Sequence, residues 1–235
     1  SGRLMVEQMA QMNGWTADET LERLKDFYDG YHFCDLNMVD VYNPFSLVNS
    51  LYQKRLRSYW AMSGATSMLP KVVGDMEIRL NDFDHCSIDR FLLETSDVTG
   101  GGPELFLYQS GYLTIKSADE FGYILGIPNE EVRQALNAMV LPALTLRKQG
   151  DTVSLQANLY RHLGTGQPDE AKKSMRALIA DVPYSNKKLA SMDMEERYRL
   201  IISTILQALG VRVEVERMLA TGRIDLVAWL SRYIY

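Results

Sequence analysis

The chain has 235 residues, 46% hydrophobic and 23% charged, which suffices for one large or two small globular domains and excludes a disordered polypeptide. Its net charge of −5 argues against non-specific nucleic-acid binding by the whole surface, and with no long apolar run and no signal-peptide core no membrane association is expected. Cys34 and Cys86 are too few for a disulfide scaffold and are expected as free thiols, as in a cytoplasmic protein.

Ser1-Gly2 in place of an initiator methionine reads as a trimmed start. Residues 4 to 28 have the periodicity of a helical pair, broken at Asn13-Gly14 and restarted by a cap at Thr16 or Asp18. Asn43-Pro44 opens a helix to about Lys54, because proline fits the first helical turn; Phe45, Leu47, Val48 and Leu51 should form one face of it. The polar stretch 97–103, with Gly100-Gly101-Gly102, is a loop and a domain boundary. Two short strands are expected at 113–116 and 122–125, then a helix from Glu130 to about Met139 capped by Asn129; helix plus hairpin is winged-helix-like. Leu155, Leu159 and Leu163 favour a helix, and Pro168-Asp169-Glu170 opens another that Val182-Pro183 ends.

Toward the C-terminus, Tyr198, Ile201, Ile202, Ile205 and Leu206 recur at helical spacing and Gly210 stands at the helix end. Val211, Val213 and Val215 then alternate with Arg212, Glu214 and Glu216, and a turn near 219–222 leads into the apolar strand Ile224 to Leu230. A further strand starts at Tyr233. Asp225 sits inside that apolar strand, where a buried carboxylate must meet a cation, a donor or water. It is a candidate metal ligand, the alternative being a strand acid that faces solvent. Glu195, at the start of its helix, suits the helix dipole, and Glu214 and Glu216 suit a solvated strand face.

Charge is uneven. From Tyr184 onward eight Lys or Arg stand against six acids, whereas the preceding 183 residues carry a net −7, so phosphate contacts belong at the C-terminal end. Tyr28-Asp29-Gly30-Tyr31 reads as an aromatic turn packed on its own domain in preference to a ligand pocket. His32, His85 and His162 lack paired spacing for zinc.

Three sets of residues carry a family resemblance: 27–33 with 41–46 and 58–60 (Phe27-Tyr28-Asp29-Gly30-Tyr31-His32-Phe33, Val41-Tyr42-Asn43-Pro44-Phe45-Ser46, Ser58-Tyr59-Trp60); 107–116 with 126–132; and 195–198 with Leu209-Gly210, 213–216, 222–227 and 233–235. In this order they resemble bacterial proteins that join an AAA-ATPase-like domain to a C-terminal nuclease-like domain of the PD-(D/E)XK superfamily. The resemblance implies an α+β architecture in three parts: residues 1–96 as the helical end of the ATPase-like domain, 97–166 as a winged-helix-like connector, and 167–235 as an incomplete nuclease-like module. In the longer protein it implies Mg²⁺ held by Asp225 with Glu195 and Glu216, Asp225 and Glu195 being the catalytic acids, and hydrolysis of DNA or RNA.

Two departures bear on function. No Gly-Lys dipeptide occurs, so the phosphate loop that the resemblance implies for ATP is not in this sequence. The Glu-x-Lys implied for the strand at Tyr233 would follow Tyr235. The 235 residues are therefore expected to be inactive alone; the open edge of the strand at Tyr233 is expected either to self-associate or to belong to a longer tail, and the rival to the nuclease reading is an interaction or nucleic-acid-binding module regulated by the ATPase half.

Overall fold

The computed structural model describes residues 2–34, 39–60, 83, 85–94, 102–145, 149–180, 193–219, 222–230 and 233–235. Among these residues the chain is α+β, with nine helices and two three-stranded antiparallel sheets, and it divides into two compact units, Ser1–Ala135 and Leu136–Tyr235.

The first unit opens with α1 (Gly2–Asn13) and α2 (Ala17–Tyr28). Thr16 starts α2 through a reciprocal cap: its Oγ1 accepts from the Glu19 amide at 3.1 Å, and Glu19 Oε2 accepts from the Thr16 amide at 2.9 Å. Helix α3 (Pro44–Gln53) is capped by Asn43 and stops at Lys54, which adopts a left-handed conformation with φ 57°. Met9, Leu24, Tyr28 and Tyr59 form the core of this helical group, with Val6, Trp15, Leu47 and Leu51 packed around them.

Helix α3 departs from expectation in which side it buries. Only Leu47 and Leu51 of the expected apolar face approach the core; Phe45 and Val48 are exposed, and the fully buried side chains of α3 are Ser46 and Ser50. Leu47 and Leu51 pack against the cluster that holds Tyr28 and Tyr59, and beside them Ser50 Oγ donates to the Arg55 carbonyl at 2.9 Å.

The same unit holds β1 (Cys86–Asp89), α4 (Arg90–Glu94), α5 (Pro103–Gln109), β2 (Thr114–Ala118), β3 (Gly122–Gly126) and the start of α6 (Glu130–Thr145). The β2–β3 hairpin lies within two residues of the strands expected at 113–116 and 122–125. Strand β1 joins it across the sheet in the order β1-β3-β2, Cys86 pairing with Leu125 and Asp89 with Gly122. Of the loop expected over 97–103, residues 97–101 lie outside the described residues, while Gly102 is the N-cap and Pro103 the first residue of α5.

In the second unit α7 (Gln149–Gly164) packs on α8 (Pro168–Ile179), and α9 (Met194–Ala208) packs on the sheet β4 (Arg212–Leu219), β5 (Gly222–Leu230), β6 (Tyr233–Ile234). Asp193 caps α9 by accepting from the Glu196 amide at 2.8 Å, and Ile201 and Ile205 are buried. The sheet is a meander, β4-β5-β6, with β5 in the middle. Tyr235 continues the last pairing: its amide and carbonyl exchange bonds of 2.9 and 3.0 Å with Ala228, and its hydroxyl donates to the Leu163 carbonyl at 2.6 Å. Cys34 and Cys86 are free thiols, and among the described residues no helix is long and apolar enough to cross a membrane.

Candidate functional site

Asp225 stands on β5, the central strand. The ladder pairs Val213 with Ala228, Val215 with Leu226 and Arg217 with Ile224, so the register position across from Asp225 belongs to Glu216. Side chains alternate along a strand. Asp225 therefore projects from the face opposite Leu226 and Ala228, in line with Val227 and Trp229; it is not on the face of Val213 and Val215. Asp225 is exposed, whereas Val227 on its own face and Ala228 and Leu230 on the other are buried. Arg212 and Trp229 share the Asp225 face, the guanidinium 5.4 Å from the indole centroid.

Glu195 is exposed in the first turn of α9, where the backbone amides point and negative charge is favoured. The Glu216 side chain lies outside the described residues. Among the described residues no set of three or more His, Cys, Asp or Glu side chains is grouped to hold a metal ion. Of the three sequence-predicted acids, backbone register places Glu216 across the ladder from Asp225, and Glu195 lies in the first turn of α9.

A second polar site lies in the first unit, and its key residue was not anticipated. Glu131, in the first turn of α6, is fully buried. Its Oε1 accepts from the Trp60 amide at 2.9 Å and its carbonyl accepts from Ser58 Oγ at 3.1 Å, so one residue fastens the 58–60 segment twice. Burial pushes its carboxyl above the ordinary value of 4.5, opposed by the Trp60 amide and by the Ser46 hydroxyl beside it. Neither Glu131 Oε2 nor Ser46 Oγ closes a hydrogen bond of ordinary geometry. Around them stand Tyr28, pushed up to about 12 mainly by burial, and Tyr31, raised further by burial and by the Glu131 charge. Tyr28 Oη donates to the Arg57 carbonyl and accepts from the Arg57 amide, both at 3.0 Å.

The Asp29-Gly30 turn runs along this cluster. Asn129 caps α6 through Oδ1 on the Val132 amide at 3.2 Å, while its Nδ2 donates to the Asp29 carbonyl at 3.0 Å. Gly30 has φ 95°, and a Cβ there would collide with the Pro128 carbonyl oxygen, so both conformation and space require glycine. His32 is tied to β2: its amide donates to Thr114 Oγ1 at 2.7 Å, and Nδ1 lies 2.9 Å from the Ile115 carbonyl oxygen. Nε2 lies 3.0 Å from Asp40 Oδ1, a close approach whose direction is not that of a hydrogen bond. The aromatic turn is therefore packed on its own unit, as its sequence suggested. No sequence signal marks Glu131, because an acid pair at a helix start is the ordinary complement to the helix dipole.

No protein-family model matches the chain, and no solved structure matches it. The chain is similar to an uncharacterized protein in the vnfD 5' region of Azotobacter chroococcum mcd 1, 27% identical over 228 residues that cover 91% of this chain and 42% of that protein. The chain thus spans less than half the length of this relative.

Proposed function

We propose that the chain is part of an ATPase-linked, nuclease-like protein of the cytoplasm whose C-terminal module hydrolyses phosphodiester bonds of DNA or RNA with Mg²⁺. The observation that supports this reading is the order of the second unit: helix α9, then an antiparallel meander, with an exposed Asp225 on the middle strand and Glu216 across from it. It is the arrangement the family resemblance implies, and α9 presents Glu195 in its first turn.

The donor chemistry suits the ion. Mg²⁺ takes hard oxygen ligands and is commonly held by one or two carboxylates together with water and substrate phosphate. Asp225 and Glu216 are such a pair, and an exposed Asp225 leaves room for a phosphate. Bound there, the ion would supply an activated water and take up charge on the phosphate oxygens. Asp225 would hold the ion and fix where the phosphate sits, with Glu195 and Glu216 as the further acids that the resemblance implies for the ion.

The test uses the longer gene product, assayed for Mg²⁺-dependent cleavage of labelled single- and double-stranded DNA and RNA. Asp225→Asn should lower cleavage at least 100-fold with the melting temperature unchanged; cleavage that survives Asp225→Asn refutes the assignment. A second reading is a non-catalytic nucleic-acid or protein interaction module regulated by the ATPase half, in keeping with the eight Lys or Arg against six acids from Tyr184 onward. Salt-dependent oligonucleotide binding that responds to Mg-ATP, without cleavage, would select it.

A further inference from the structure

We infer that the outer edge of β4 pairs two copies of this chain, antiparallel and about a two-fold axis through Val213. The direction of each backbone group follows from the ladder. Ala228 exchanges both of its backbone bonds with Tyr235, so its amide and carbonyl face β6, and the Val213–Ala228 pair carries none of the bonds between β4 and β5. Direction alternates along an antiparallel strand. Arg212 and Glu214 therefore turn their backbone groups toward β5, and Val213 and Val215 turn theirs away from it. Strand β4 ends the sheet on that side, and among the described residues the amides and carbonyls of Val213 and Val215 have no backbone partner. A row of such groups on an eight-residue strand is a template for another strand, whereas β6, at the opposite edge, spans two residues.

The strand is self-complementary in one register. In a two-fold pairing, outward-facing groups must meet outward-facing groups, so the axis passes through a residue and not between two. Centred on Val213, the pairing sets Arg212 opposite Glu214 of the second copy and Glu214 opposite Arg212 of the second copy. These are two opposite-charge pairs, made by residues that are exposed and share one face of β4. On the other face Val213 meets its own counterpart and Val211 meets Val215, β-branched against β-branched, which covers valines at 213 and 215 that are half-buried in the single chain. Centres at Arg212, Glu214, Glu216 or Arg217 set a charge against itself, and a centre at Val215 sets Glu214 against Glu216. Like charges directly opposite destabilise a sheet.

In the Val213 register the Val213 amide and carbonyl bond their counterparts, and the Val215 amide donates to the Val211 carbonyl of the second copy. The Val211 amide stays with the Leu206 carbonyl of its own chain at 3.0 Å. This charge match favours a second copy over an unrelated strand. The axis stands perpendicular to the sheet, so the two three-stranded sheets become one and both Asp225 residues come to the same face of it.

Sedimentation velocity of the 235-residue chain over a concentration series tests the pairing. It should show a monomer–dimer equilibrium with a dissociation constant on the order of 10–100 µM, because positions 211–215 of two chains make an interface at the small, transient end of the range. Arg212→Glu and Glu214→Arg should each raise that constant about ten-fold or more, and the two substitutions together should return it to within about three-fold of the parent. Amide exchange followed by NMR should slow at Val213 and Val215 as protein concentration rises, while Arg212 and Glu214, bonded to β5, stay protected throughout. A chain that remains monomeric up to about 1 mM overturns the inference. So does a dimer that the charge substitutions leave unchanged, or exchange at Val213 and Val215 that does not depend on concentration. The exchange is read on the unsubstituted chain and decides the matter even where a variant fails to fold.

Discussion

Replacing Glu131 by Gln tests the account of the buried site in the first unit. Glu131 is fully buried, and desolvation raises its carboxyl above 4.5. The folded state therefore holds this proton more tightly than the unfolded state. The stabilisation from proton binding is fully present below about pH 4.5 and is lost as pH rises through the folded value. A single proton gives a slope of up to about 1.4 kcal/mol per pH unit within that window. Gln keeps an acceptor for the Trp60 amide, offers a donor toward Ser46 Oγ and carries no charge to desolvate. Glu131→Gln should match the parent near pH 4 and become the more stable protein as pH rises, the difference levelling off above the folded value. Glu131→Ala should lie about 1–3 kcal/mol below Glu131→Gln at every pH, because the Trp60 amide loses the Glu131 acceptor. Urea unfolding followed by circular dichroism at half-unit steps from pH 4 to 8 reads all three proteins. A pH-independent difference between parent and Gln, or a Gln protein less stable by 1 kcal/mol at pH 7, would refute the reasoning.

Three further expectations follow from the same geometry. Tyr28→Phe removes a hydroxyl that serves both the carbonyl and the amide of Arg57, and should cost about 1–3 kcal/mol in urea unfolding; a neutral result would show water taking over both groups. Gly30→Ala places a side chain at φ 95° against the Pro128 carbonyl and should destabilise by about 2 kcal/mol or more in the same assay, whereas an unchanged midpoint would mean that the turn relaxes. Mg-ATP should leave the melting temperature of the 235-residue chain unchanged, since no phosphate-loop Gly-Lys is present; a site filled to 100 times its Kd would add about 2.7 kcal/mol.

Much of this fold is set by local sequence. The Thr16–Glu19 cap, the Asn43-Pro44 start of α3, the hairpin of β2 and β3, and the alternation of Val211 to Val215 each depend on residues within a few positions of one another. Such signals need no knowledge of the rest of the chain. Gly210, with φ 76°, ends α9 for the same local reason.

Other features were decided by tertiary structure. Strand β1 is four residues long and gains its identity by pairing with β3, more than thirty positions away. On α3 the cluster of Met9, Leu24, Tyr28 and Tyr59 takes Leu47 and Leu51, Ser46 and Ser50 are buried, and Phe45 and Val48 are left exposed. Periodicity reports that apolar residues share a face of a helix, and only the neighbouring layer decides which face is covered. Glu131 and Glu195 are both acids in first helical turns, yet one is sealed beneath the 58–60 segment and the other meets solvent. For Asp225 the sequence determined the strand and the candidate chemistry. The register across β4 and β5 determined its companion and its face, because a carboxylate's environment is made by residues distant in sequence.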